Sequence, residues 1–135
     1  MTDRRPATAL TALRIEATVL MSLTIGQAGL AAGFLGGQEA LKPVHGANAF
    51  VLLAVTVVLV LTAAVHRRRG GGRWPVLAGT ILLAVEITQL LLARADVVGA
   101  HIFLGIVFVV LATLVTSYLF RPGFVPSSTG PAVRG

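Results

Sequence analysis

Four uninterrupted apolar runs dominate the chain, at 15–35, 46–65, 75–93 and 100–120. Each is close to the roughly 20 helical residues needed to cross a hydrocarbon core about 30 Å thick. Their continuity excludes a transmembrane β-barrel, whose strands alternate between lipid-facing and inward-facing residues. The remaining composition agrees. Of 135 residues 56% are hydrophobic and 12% charged, with a mean hydropathy of +0.89, against roughly 25% charged in a soluble domain. There is no cysteine, which excludes a disulfide scaffold, a thiolate metal site, an iron–sulfur cluster and covalently attached c-type haem.

The connections between runs, 36–44, 66–74 and 94–99, are short, as between antiparallel neighbours. Pro43, Pro75 and the run Gly70-Gly71-Gly72 punctuate them. The expected architecture is therefore all-α, an integral membrane four-helix up-down bundle over 15–120. It lies between a cytoplasmic N-terminal segment, 1–14, and a disordered cytoplasmic tail, 121–135, rich in Pro, Ser and Gly. The first run exceeds the about 7–15 residues of a secretion-signal core and reads as a span.

Arginine and lysine set the expected orientation, because basic loops stay in the cytoplasm. Arg4, Arg5, Arg14, Arg67, Arg68, Arg69, Arg73, Arg121 and Arg134 fall on one side, and only Lys42 and Arg94 on the other. Both termini should face the cytoplasm of a multi-pass cell-membrane protein. Trp74 and Tyr118 then lie at the inner interface, where amphipathic rings prefer to sit. The net charge of +6 is on this reading a topology signal toward the lipid bilayer, and nucleic acid is not an expected partner.

So few polar residues fall within the spans that each can be weighed. His45 precedes Arg67 by 22 residues and His101 precedes Arg121 by 20, so both imidazoles sit roughly 30 Å from the cytoplasmic face. They open helices two and four, which stand diagonally in an up-down bundle and can face each other across its centre. Two neutral imidazoles so placed suit the axial positions of one haem b iron. Taken singly, each histidine is equally an interfacial residue bonded to a loop carbonyl. Ala49 and Thr56 follow His45 on its face, and Gly105 and Ala112 follow His101. Such small residues leave room for a flat macrocycle, or simply allow close helix packing.

Gln27 and Gln89 are expected below the histidines, roughly 20–22 Å up, as interhelical hydrogen-bonding groups or the floor of a cofactor pocket. Asn48 reads as interhelical glue. Lys42 and Arg94, the only basic side chains on the outer side, are placed to pair with haem propionates or to serve as ordinary loop charges. Glu86, three residues before Gln89 and near midplane, suits proton transfer or quinol or cation binding. It equally suits a protonated carboxyl bonded to Gln27 or Thr24. Glu16 is expected to pair locally with Arg14, and His66 to be solvated among arginines.

Superposing 23–30 on 85–92 aligns Gln27 with Gln89, and each segment continues through an outer loop to a helix opening with histidine. The bundle reads as two repeated helical hairpins. This arrangement resembles one four-helix half of the haem A synthase family. The resemblance implies a histidine pair for haem on the outer side, carried here by His45 and His101. Two departures matter: the family has two such halves, and its catalytic half carries a Glu three residues before the histidine of helix two, where this chain has Lys42. The resemblance thus supports haem binding over oxidation of a haem methyl group. A homodimer would rebuild eight helices, and Gly29 with Gly33 forms a GxxxG pattern suited to that or to internal packing.

The expectation is a membrane b-type haem protein acting in electron transfer, haem handling or sensing, with a redox protein or quinone as partner. Its rivals are a small proton-coupled transporter using Glu86 and an accessory subunit of a membrane complex.

Overall fold

The computed structural model describes the backbone of residues 5–121 and the side chains of 8–121. The expected tail beyond Arg121 lies outside the described residues. Four helices make up the chain: α1 (Arg5–Leu35), α2 (Leu41–Arg68), α3 (Trp74–Arg94) and α4 (Val98–Leu119). All four are long and apolar enough to cross a membrane.

All four helices start earlier than the apolar runs, α1 and α2 by the most. α1 begins ten residues before the first run, because Ala9, Leu10, Leu13 and Ala17 continue its buried stripe at helical spacing. α2 begins at Leu41, so Pro43 lies inside its first turn rather than in the loop. Proline is tolerated there because the first-turn N–H groups have no partner within the helix.

The three connections share one stop signal. After α1, Gln38 N–H bonds Gly33 O at 3.1 Å and Gly37 N–H bonds Phe34 O at 3.0 Å, with Gly37 at φ 100°. After α2 the same pair of bonds runs from Gly71 to His66 O and from Gly70 to Arg67 O, with Gly70 at φ 90°. After α3 it runs from Val97 to Leu92 O and from Asp96 to Ala93 O. These are Schellman caps. Glycine supplies the left-handed residue in the first two, and Asp96, at φ 54°, supplies it in the third.

α1 packs against α2 and α4, and α3 against the same two, so α1 lies opposite α3 and α2 opposite α4. Contacts pair rising numbers on one helix with falling numbers on its neighbour. Gln27 meets His45 while Glu16 meets Thr62, and Arg14 meets Leu119 while Met21 meets Thr113.

The buried core fills only one half of the bundle. It consists of Leu10, Leu13, Ala17 and Leu20 on α1, Leu52, Leu59 and Ala63 on α2, Leu82 on α3, and Phe108, Ala112, Val115 and Leu119 on α4. No residue from 25 to 51 or from 87 to 107 is buried. The chain explains this asymmetry, since Gly26, Gly29, Gly46, Ala47, Gly99 and Ala100 populate the second half with side chains too short to meet across it. Large apolar side chains such as Ile15, Leu61, Leu77, Ile106 and Leu114 face outward at 60% exposure or more.

Candidate functional site

The half without a buried core holds the polar constellation. His45, on the second turn of α2, and His101, on the first turn of α4, come from diagonally opposed helices. Their rings nevertheless face each other, with centroids 6.3 Å apart and planes at 73°. Both are half-buried.

Each imidazole is oriented in the same way. His45 Nδ1 lies 3.2 Å from the backbone carbonyl of Gln27, and His101 Nδ1 lies 3.0 Å from that of Gln89. A carbonyl only accepts, so Nδ1 of His45 donates to it and the lone pair of that ring resides on Nε2, where the Gln27 amide meets it. The repeated Gln–His relation in the sequence becomes one contact made twice.

Gln27 and Gln89 thus stand level with the histidines, not below them. Arg14 donates from Nε to Leu119 O at 2.9 Å and stacks over Phe120 at 5.5 Å, at the C-terminal end of α4.

The two sites differ in their side-chain amides. Asn48 Nδ2 donates to Gln27 Oε1 at 2.7 Å and to Leu23 O at 3.1 Å. This turns the Gln27 NH2 toward His45, where it donates to Nε2 at 3.2 Å. Gln89, in the amide orientation that satisfies both its ends, donates to His101 Nδ1 at 3.0 Å and to His101 O at 2.9 Å, and accepts from Gly105 N–H at 3.0 Å. Among the described residues His101 Nε2 makes no hydrogen bond. A Cβ on Gly105 would lie 3.3 Å from the nearer end of the Gln89 amide. The space over Gly105 is thus taken by the Gln89 amide, not left for a macrocycle as expected. Ala49 is half-buried one turn beyond His45, and Lys42 and Arg94 are exposed near the same end of the bundle. Phe34 closes the outer side of His45, edge to face at 5.2 Å.

Asn48 is the interhelical glue expected of it, joining α2 to α1 through Gln27 and Leu23. Sequence reasoning missed Phe34, which carries no signal of its own.

Two further expectations change. His66 is buried at 4% exposure, not solvated. The loop after α2 folds onto it, and a Cβ at Gly71 would collide with its ring. Glu16 does not pair with Arg14 but accepts from Thr62 on α2 at 2.8 Å. Of the GxxxG pair, Gly33 receives Leu41 of the same chain, the internal packing that was one of its two readings, and Gly29 has nothing within 4 Å of a built Cβ.

Glu86 is 7% exposed, and neither carboxyl oxygen has a hydrogen-bond partner. Thr56, wholly buried on α2, is its polar neighbour but does not reach bonding geometry. The expected partners are engaged elsewhere: Thr24 bonds Leu20 O, and Gln27 serves His45.

No cluster of three or more His, Asp or Glu able to hold a metal ion occurs among the described residues. Both ring nitrogens of His45 are engaged by Gln27, at 3.2 Å each, so the two imidazoles meet edge to face rather than nitrogen to nitrogen.

No family model, curated protein or solved structure matches the chain. Nothing in these comparisons links it to the haem A synthase family.

Proposed function

We propose that this chain is a multi-pass cell-membrane protein that binds b-type haem between His45 and His101 near the extracytoplasmic face. Its helices form an up-down bundle of two related hairpins with both termini in the cytoplasm. The single observation carrying the reading is the histidine pair: two rings from opposite helices, 6.3 Å apart, each with Nδ1 on a glutamine carbonyl.

In this reading the imidazoles of His45 and His101 would hold the iron, with the carbonyls of Gln27 and Gln89 holding the rings, and Lys42 and Arg94 would pair with the carboxylates of the group. When bound, the group supplies one-electron redox chemistry or acts as cargo or signal, so the protein serves electron transfer, haem handling or sensing. A redox protein or a quinone is the partner for the first of these. Lys42, where the resembled family has a catalytic Glu, argues against oxidation of a haem methyl group. Purified protein should carry a sharp Soret band with low-spin α and β bands when reduced. His45→Ala and His101→Ala should each abolish the six-coordinate spectrum, and unchanged spectra in both would overturn the assignment.

A second reading rests on Glu86, a carboxyl at mid-bundle with two unpartnered oxygens. Such a group is a site for a coupling proton in a transporter. A resistance or uptake assay in which Glu86→Gln loses activity while the haem spectrum is absent would favour it.

A further inference from the structure

Both carboxyl oxygens of Glu86 are buried without a hydrogen bond, and the side chain is 7% exposed. Beside it on α2 is a second unpartnered group, the hydroxyl of the wholly buried Thr56. The hydroxyls of Thr18, Ser22, Thr24, Thr80, Thr88 and Thr113 each bond the carbonyl four residues back, the local partner such groups take within a helix. Thr56 makes no such bond, which leaves its hydroxyl available to Glu86.

The pair lies at a boundary. Glu86 is the last buried residue of α3 before the half without a core, and Thr24 on α1, Leu52 on α2 and Phe108 on α4 mark the same edge. Toward the basic end of the bundle follow Leu82, Leu59, Leu20, Leu13 and Ala112, none more than 1% exposed. Toward the other end nothing from 87 to 107 is buried, and Gln89, half-buried, shares the helix face of Glu86. Polar groups and short side chains therefore approach Glu86 from one end only.

From this boundary we infer that Glu86 and Thr56 form a proton site entered only from the end of the bundle that carries Gln38 and the histidine pair. The inference rests on the transporter reading of Glu86 and names the ion and its side of entry. A hard cation such as calcium or magnesium takes about six or more oxygen ligands, and the pair offers three unpartnered oxygens; a proton needs one. A hydronium from the open half gives its proton to one carboxyl oxygen and leaves as water, and the neutral acid donates its O–H to Thr56 Oγ1. On release the proton returns to water, and the Thr56 hydroxyl turns to donate to the carboxylate. One hydroxyl serves both states because it accepts and donates. No other charge intervenes: α2 has no titratable side chain between His45 and His66, α4 none between His101 and Tyr118, and α3 no other between Trp74 and Arg94, while Glu16 on α1 is bonded to Thr62.

Infrared spectra of the full chain in phosphatidylcholine vesicles test the site. Wild type should show a protonated-carboxyl band that falls as pH is raised, is missing from Glu86→Gln and persists in Glu16→Gln. Thr56→Val keeps the shape and deletes the hydroxyl, so it should move that band to higher frequency without removing it. Sodium chloride at constant pH should leave the band unchanged. Identical spectra of wild type and Glu86→Gln, a band indifferent to pH, or one lost to sodium would overturn the proton site.

Single thiols in this cysteine-free chain read the side of entry. Glu86→Cys should react with a small charged methanethiosulfonate added on the side where Gln38→Cys reacts, and Leu82→Cys, one turn deeper, from neither side. Any other pattern overturns one-sided entry. If the band responds as expected while uptake is unaltered in Glu86→Gln, the transporter reading fails and the proton site stands.

Discussion

The imidazoles of His45 and His101 face each other at 6.3 Å across the bundle, although the helices that carry them, α2 and α4, are diagonal and make no backbone contact. The approach follows from the composition around them. Glycine and alanine populate this half of the helices, so no aliphatic layer separates the rings, and two glutamine carbonyls hold both rings by Nδ1. The opposite half, packed with leucine, holds the helices at fixed spacing.

Gly105 gives way to the Gln89 amide, and a methyl there would lie 3.3 Å from the nearer end of that amide. Gly105→Leu should displace the amide that bridges His101 O and Gly105 N–H and so disturb His101. The expected result is at least a tenfold weaker haem affinity, about 1.4 kcal/mol, measured by Soret titration, with helix content unchanged in circular dichroism.

Lys42 and Arg94 are exposed at the same end as the histidine pair. If they hold propionates, Lys42→Gln together with Arg94→Gln should lower haem affinity while leaving the bis-histidine spectrum of the bound fraction intact. Affinity for the dimethyl ester of haem should not respond to the same pair of changes.

Gly71 lies against the buried ring of His66. Gly71→Ala should force the α2–α3 connection off the histidine and cost about 1–3 kcal/mol, read as a lower thermal midpoint in detergent. His66→Ala, which removes the obstacle, should restore tolerance of the added methyl.

Asp96 holds the left-handed cap residue of α3. Glycine enters that conformation without the penalty a Cβ brings. Asp96→Gly should therefore leave stability unchanged or raise it by up to about 1 kcal/mol, checked by thermal unfolding. Asp96→Val should lower it.

The chain contains no cysteine, so single introduced thiols report topology cleanly. Gln38→Cys, in the first connection, should react with a membrane-impermeant maleimide on intact cells. Gly72→Cys, in the basic second connection, should react only after permeabilisation. The reverse pattern would invert the proposed orientation.

By itself the sequence determined the four helices, their capacity to span a membrane and the prominence of His45 and His101, because long apolar runs have one stable form in lipid and leave few polar residues to consider. Tertiary structure alone decided what each polar group meets. Asn48 was visible but not its grip on Gln27, Glu86 was visible but not its lack of partners, and His66 looked solvated until the Gly71 loop covered it. The reason is geometric. Periodicity tells which way a side chain points from its own helix, whereas its partner depends on the relative height and rotation of a second helix, and a single turn of offset replaces one neighbour by another. Counting from Arg14 placed Gln27 below His45, but the packing of α1 against α2 and α4 sets them level, and that alignment turns isolated polar residues into one site.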